Sequence, residues 1–407
     1  MPEPSAPTAA RRVTVVGIGA DGWAGLTEAA RSVVLDAPVV VGSRRQLALL
    51  PDVEGQERRA WPSPFSLDPV DGDRSTVVLA SGDPFVSGVA TSLLPRHGEV
   101  LDVVPAVSSI ALARARMLWP AETVGVVSTV GRSLQPLVRE LAPGRRLLVL
   151  TSGPGTPADL AALLVAHGYG ASTLTVLGDL GAATESRIDA TAATWDAGSH
   201  DVPPLHVVAI VCDGPASGSW VAGLPDDAYE HDGQLTKRDL RAAALARLAP
   251  QPGQRLWDLG AGAGSVGIEW LRAHPTCHAD AVERDPARAD RIARNADALG
   301  VPRLDVHRGD ALDVAARLPG PHAVFVGGGA TAPGLLDLCR DRLRPGGRLV
   351  VHGVTLETEQ VLAGAYAEHG GELTRHAVET AAPIGTFTGW TPARAVTQWS
   401  WTKEHRS

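Results

Sequence analysis

Only three of the 407 residues are cysteine, and Cys212, Cys277 and Cys339 stand far apart. Their odd number and wide spacing match no metal motif and suit a reducing compartment, the cytoplasm. Long apolar runs are missing as well. None approaches the ~18 residues of a membrane span, and the longest, such as Leu205 to Cys212, have strand length. The start of the chain, Met1 to Arg12, has proline and alanine but not the apolar core of a secretion signal, so a frayed tail is expected. Basic residues are not in excess: 37 Lys and Arg face 45 Asp and Glu, for a net charge of −8. That balance argues against broad nucleic-acid binding and leaves room for a local basic pocket. The 13 histidines show no metal spacing; His97, His206 and His352 read as structural, and no metal site is assigned. No catalytic triad or pair of catalytic carboxylates is legible, so no catalytic residue is named.

What the chain does have is length for two or three domains and 44% hydrophobic residues to build their cores. Its most informative string is Asp258-Leu-Gly-Ala-Gly-Ala-Gly264, with Glu283 about twenty residues later. An apolar strand precedes it and a helix-like run, Ser265 to Ala273, follows. Gly260, Gly262 and Gly264 let backbone approach a ligand closely. Ala261 and Ala263 complete the loop, and Glu283 can accept both hydroxyls of a ribose. Spacing alone does not choose between NAD and S-adenosylmethionine. The string itself favours S-adenosylmethionine, because the third glycine of a dinucleotide site would fall at Ser265.

Short Val-rich strands alternate with Ala/Leu helices on both sides of Asp213 to Asp232, a stretch rich in Gly, Pro and acids without a period. Both halves therefore read as α/β with largely parallel sheets, and 214–232 reads as a linker. The expected domains are 1–213, in lobes of about 11–118 and 119–213, and 233–407. In the second half Thr236-Lys-Arg-Asp239 has the pattern of a capping box. Strands are expected to end at Asp258, Glu283, Arg308, Val326 and His352, with an antiparallel pair at Leu373 to Glu379 and Ala395 to Trp401. The ligand crevice then lies at the carboxyl ends of the parallel strands. In the first half Gly17-Ile-Gly19-Ala-Asp-Gly22 matches G-x-G-x-x-G, but Gly42 and Ser43 stand where a dinucleotide site needs an acid. Ser81-Gly82-Asp83-Pro84 is a tight loop at a strand end, and Ser108-Ser109 opens a helix.

Taken together, these strings resemble one family. VVGIGADGW at 15–23, VVVGSRRQL at 39–47, LASGDPFVSGVA at 79–90, VVPAVSSIALARARMLWP at 103–120 and VSTVGR at 127–132 are similar to tetrapyrrole methylases of class III. HDGQLTKRDLRA at 231–242, LWDLGAGAGSVGIEW at 256–270 and VFVGGG at 324–329 are similar to the companion class I methyltransferase. In this order the halves resemble the bifunctional precorrin-6Y C(5,15)-methyltransferases (decarboxylating) of cobalamin biosynthesis. The sequence departs from that family at Ala20 and Asp21, where a proline is common, and at Val130, where a polar residue is usual.

The resemblance implies a two-lobed class III fold followed by a Rossmann-like class I fold with a terminal antiparallel strand pair. It implies two S-adenosylmethionine sites per chain, methylation of carbons 5 (first half) and 15 (second half) of precorrin-6B, and decarboxylation of the carbon-12 acetate to give precorrin-8X. Cofactor contacts are expected at Gly17, Gly19, Ser81, Gly82, Asp83, Pro84, Ser108 and Ser109 in the first half. In the second they are expected at Thr236, Gly260 to Gly264, Glu283, Asp310 and Ala311. The polycarboxylate substrate calls for basic groups: Arg114, Arg116 and Arg132, with Arg44 and Arg45 as weaker candidates, and Lys237, Arg238 and Arg241. Gly327 and Gly328 would open space for a flat ring, and Phe387 and Trp390, in a Pro/Gly-rich loop, would wall it or fill the core. A homo-oligomer built through the second half is expected. The competing readings are an RNA or protein methyltransferase with a recognition domain in front, and a first half that only binds substrate and assembles subunits.

Overall fold

The computed structural model describes residues 11–216 and 218–404. Of the expected N-terminal tail, all but Arg11 and Arg12 lies outside the described residues. Contacts divide the chain into two compact units. One holds residues up to Leu134 together with Ala142–Ala216; the other holds Gln135–Leu141 and the described residues from 218 onward.

The first unit contains two sheets. The first is made of β1 (Val13–Ile18), β2 (Val39–Gly42), β3 (Glu57–Ala60), β4 (Thr76–Ser81) and β5 (Leu101–Val104), in the order β3-β2-β4-β1-β5 with every pairing parallel. Helices cover both faces, so the central strands are apolar without alternation. The helix Glu28–Leu35 puts Ala30 and Val34 against Val16, Val40 and Leu79. The helix Val89–His97 puts Ala90 and Leu93 against Val13, Val15 and Val78.

The second sheet is made of β6 (Val124–Ser128), β7 (Arg146–Leu150), β8 (Thr173–Gly178), β9 (Ser186–Thr191) and β10 (His206–Val211), in the order β6-β7-β10-β8-β9. Here the expectation of a largely parallel sheet fails. Only β6 and β7 are parallel; β10 inserts between β7 and β8 antiparallel to both, and β8 pairs antiparallel with β9. The short link at 179–185 has no helix and can join its strands only as a hairpin.

The second unit carries β11 (Arg255–Leu259), β12 (His278–Glu283), β13 (Asp305–Arg308), β14 (Ala323–Val326), β15 (Arg348–Gly353), β16 (Glu372–His376), β17 (Glu379–Ile384), β18 (Phe387–Pro392) and β19 (Val396–Thr402). Its main sheet has the order β13-β12-β11-β14-β15-β19-β16, parallel through β15, with β19 antiparallel to both neighbours. The order reverses between β11 and β14, which fixes the crevice at their carboxyl ends. Trp257, Trp270 and Trp399 are fully buried, and each indole N–H donates to a backbone carbonyl, of Pro319, His278 and Gly370 at 3.1, 3.0 and 2.9 Å. Burial of the rings thus leaves no donor unpaired.

Two expectations are corrected in this unit. The stretch between the late strands is no loop: β17 and β18 form a separate two-stranded antiparallel sheet. Phe387 and Trp390 stand on it 79% and 69% exposed, so they do not fill the core. The expected linker also contains ordered structure, because Leu224 and Tyr229 are buried in the second unit's core. Its irregular sequence follows the binding needs of its backbone, described next, and no helical or strand period.

Candidate functional site

The glycine loop of the second unit turns sharply after β11. Gly260, Gly262 and Gly264 all adopt left-handed φ, at 69°, 60° and 76°. A side chain at Gly260 would meet the backbone of Gly328, and one at Gly262 the carbonyl of Gln234 at 2.9 Å. The loop is therefore walled by the segment before the helix Arg238–Leu248 on one side and by Gly327-Gly328-Gly329 on the other. The N–H groups of Gly260 and Ala261 both donate to the carbonyl of Val282, at 3.0 and 3.1 Å, tying the loop to the end of β12.

Glu283 completes that end. It is buried, and its carboxylate accepts from the N–H of Gly262 at 2.9 Å and of Asp285 at 3.0 Å. It does not cap the next helix; Asp285 does, accepting from Ala287 and Arg288. The carbonyl of Glu283 receives the Gly309 N–H at 3.1 Å, which brings Asp310 and Ala311 beside it. Asp310 caps the helix Ala311–Ala315 and is exposed. Beneath the loop, Asp258 is buried, and its Oδ2 accepts from Gly267 at 2.9 Å while Oδ1 has no hydrogen-bond partner. Burial pushes its pKa up to about 7; the Gly267 N–H opposes this and the Glu283 charge adds to it.

Thr236 lies near the loop but is not a helix cap. The helix begins one residue later, with Lys237 at its N-cap and no side-chain cap bond. The Thr236 carbonyl is bound by Arg241. The Arg241 guanidinium is fully buried and takes that carbonyl at 2.6 Å, the Leu224 carbonyl, and the carboxylates of Glu269 (2.6 Å) and Asp226 (3.3 Å). Glu269 in turn accepts from the N–H groups of Gly223 and Leu224, at 2.6 and 3.0 Å, and from the Tyr229 hydroxyl at 2.9 Å. Arg241 is thus removed as a substrate cation. Lys237 stays exposed, 3.6 Å from Asp226, and Arg238 is exposed.

In the first unit three segments converge at the carboxyl ends of β1, β4 and β5. The Gly82 N–H donates to the Ile18 carbonyl at 3.1 Å. A side chain at Gly17 would run into the Gly82 carbonyl and the Ala106 nitrogen, and one at Gly82 (φ 57°) would press on Val107 and Ser108. The predicted Gly17, Gly82, Ser108 and Ser109 are therefore brought together, while Gly19 has only Asp21 beside it. Ser108 caps the helix Ser109–Met117, and the Asp83 carboxylate accepts from Phe85 at 2.9 Å. Sequence reasoning missed Gln46. It is buried, closes a capping box with Ser43, and donates to Ser81 Oγ at 3.3 Å. The S-x-x-Q spacing was a visible signal for it. Arg114 is half-buried with an unpartnered Nε, Arg116 pairs with Glu185, and Arg132 is exposed in the turn after β6.

A 1080 Å³ cavity lies at the opposite end of the second unit's main sheet, around Arg348, Trp401 and Lys403. Its cations are engaged, Arg247 with Glu372 at 3.0 Å and Lys403 with two backbone carbonyls at 2.8 Å. It carries none of the motif residues.

Comparison with known proteins agrees with this division. The model of the tetrapyrrole (corrin/porphyrin) methylases matches residues 12–196, and that of the precorrin methyltransferase domain matches residues 227–403. A Sinorhizobium protein named precorrin-6Y C(5,15)-methyltransferase [decarboxylating] is 45% identical over 399 residues, 96% of each chain. A Mycobacterium tuberculosis protein of the same name is 45% identical over 398 residues, 96% of this chain and 100% of its own. Among solved structures, the C-terminal domain of precorrin-6Y C5,15-methyltransferase from Rhodobacter capsulatus is 42% identical. It covers 46% of this chain and 100% of its own, with a TM-score of 0.43.

Proposed function

The chain belongs to the family of precorrin-6Y C(5,15)-methyltransferases (decarboxylating), and on that premise we propose that it works through two separate methyl-donor sites, one in each unit. It is a methyltransferase of cobalamin biosynthesis that methylates carbons 5 and 15 of precorrin-6B and decarboxylates the carbon-12 acetate, giving precorrin-8X. The observation that carries the two-site reading is that each unit gathers glycine-bearing segments at the carboxyl ends of a parallel sheet, where a side chain would fill the space.

The second unit's residues fit an adenosyl ligand. The left-handed glycines bare their backbone, and Glu283 keeps lone pairs free beyond its two N–H partners for ribose hydroxyls. In this reading Asp310 and Ala311 contact the adenine, Thr236 borders the donor, and Gly327 and Gly328 leave room for the macrocycle. In the first unit Gly17, Gly19, Ser81 to Pro84, Ser108 and Ser109 hold the second donor, and Arg114 and Arg132 face substrate carboxylates, as do Lys237 and Arg238 in the second unit. S-Adenosylmethionine, when bound, supplies an electrophilic methyl group. The protein's residues then need only align an electron-rich ring carbon and exclude water, which accords with crevices built of glycine and backbone.

The test is to incubate the full chain with precorrin-6B and labelled S-adenosylmethionine and weigh the product. Two methyl groups gained and one carbon dioxide lost is the expected result. Titration with S-adenosylhomocysteine should give two equivalents per chain; a single equivalent overturns the two-site reading and favours a first unit that only binds substrate. The reading also has the chain self-associate through its second unit, supported by exposed Ile384, Phe387 and Trp390 on β17 and β18, and measurable by sedimentation. No described helix is long and apolar enough to cross a membrane. We place the enzyme in the cytoplasm, without a nucleic-acid partner, in keeping with three buried free thiols.

A further inference from the structure

We propose that Asn295 latches residues 230–236 over the glycine loop and so sets the second unit's affinity for its adenosyl ligand. This rests on reading that loop as a donor site. Asn295 is buried on the helix Pro286–Ala298. Its Oδ1 accepts from the Glu230 N–H at 2.8 Å, and its Nδ2 donates to the Glu230 carbonyl and to the Ala263 carbonyl, both at 3.0 Å. One amide therefore engages both backbone groups of a strap residue and a carbonyl of the glycine loop itself.

The chemistry requires an amide. One acceptor and two donors are used, and an aspartate at this position has no donor to offer the two carbonyls. Charges on the same helix act on the same segment, with Arg294 2.8 Å from Glu230, and Arg288 and Arg291 2.9 and 3.2 Å from Asp232. These pairs hold both carboxylates below their ordinary range. Two residues further on, the Gln234 carbonyl closes over Gly262. The strap is held independently on either side, at Tyr229 by Glu269 and at Thr236 by Arg241. Loss of Asn295 thus leaves the strap between those anchors with only the more exposed ion pairs at Glu230 and Asp232. Asn295 is a positioning residue: it acts on the ligand through the loop and the strap.

The experiment uses the full chain with Asn295→Ala and Asn295→Asp. For carbon-15 methylation, the KM for S-adenosylmethionine should rise about tenfold, the equivalent of about one net hydrogen bond, in both variants. The kcat should stay within about twofold, the carbon-5 step should be unchanged, and hydrogen exchange should accelerate at 233–236. The control is Arg303→Ala, which loses backbone contacts to Leu271, His274 and Cys277 and touches no part of the strap. If that variant raises KM equally, or if both Asn295 variants leave KM unchanged, the latch is overturned. Should the Asn295 variants fail to fold, Arg288→Ala with Arg291→Ala releases Asp232 at a partly exposed site; a smaller rise in the same KM supports the latch and no rise overturns it. Gly262→Trp separates the two claims. If it leaves carbon-15 methylation intact, the donor-site reading falls; if it abolishes that step while the Asn295 variants do nothing, the latch alone falls.

Discussion

Both units use glycine at the end of a first parallel strand, for physical reasons that coincide only in part. In the second unit the glycines are needed for conformation as well as proximity: all three sit at left-handed φ, and the backbones of Gly328 and Gln234 pass where side chains at Gly260 and Gly262 would stand. In the first unit Gly17 and Gly19 have ordinary backbone angles, and Gly17 is needed for proximity, because the Gly82 and Ala106 backbones pass where its side chain would stand. The walls differ too. The second crevice is bordered by a strap held by a buried network of Arg241, Glu269 and Tyr229; the first is closed by the ends of its own strands and the capped helix after β5. A glycine motif therefore reports a close approach of backbone, to which a left-handed turn is added in the second unit and not at Gly17 or Gly19.

The comparison breaks most sharply with one bulky residue in each crevice. Gly262→Trp should abolish carbon-15 methylation and one equivalent of S-adenosylhomocysteine binding while sparing carbon 5; equal loss of both methylations defeats separate sites. Gly17→Val should give the mirror image by product mass analysis. Next in size is Arg241→Met, which leaves the Glu269 carboxylate buried without its cation. A loss of about 3–5 kcal/mol is expected in denaturant unfolding of the second unit, with the first unit's transition unmoved.

Asp258 gives a smaller effect that depends on pH. Its folded pKa of about 7 stands above the ordinary carboxylate value of 3.8. Between those values the native state keeps a proton that the unfolded chain has released, so stability falls as pH rises through the window and levels off above it. The slope is at most about 1.4 kcal/mol per pH unit. Asp258→Asn should flatten the stability profile between about pH 4 and 7. The smallest effect belongs to Phe387→Ser with Trp390→Ser. Both side chains are exposed, so the unfolding free energy of the protomer should stay within about 0.5 kcal/mol, while sedimentation should show weakened self-association.

Much of the second unit was legible, because apolar runs bounded by Gly, Pro and Asp keep the same meaning in sequence and structure. The strands ending at Glu283, Arg308 and Val326 needed no tertiary information. The β17–β18 hairpin was missed because Pro383, Gly385, Gly389 and Pro392 read as loop punctuation, and its strands bury too little to show an alternating pattern. Thr236 misled for a related reason: the capping pattern is local, whereas the helix takes Lys237 as its N-cap and the Thr236 carbonyl is bound by Arg241. Asn295 gave no signal at all. A polar residue on an exposed-looking helix is indistinguishable in a single sequence from one that joins two segments about 30 and 65 positions away.

The sequence by itself determined two α/β units, the glycine turns at 17–22 and 260–264, the acid at Glu283 and the family to which the whole belongs, since these depend on short-range backbone preferences and on strings read in order. Only the tertiary structure decided that the irregular stretch before Thr236 is a strap, that Arg241 is an anchor and that the late aromatics face outward. Those outcomes depend on which distant backbone groups are left unpaired and which buried side chain reaches them, and no local pattern encodes that.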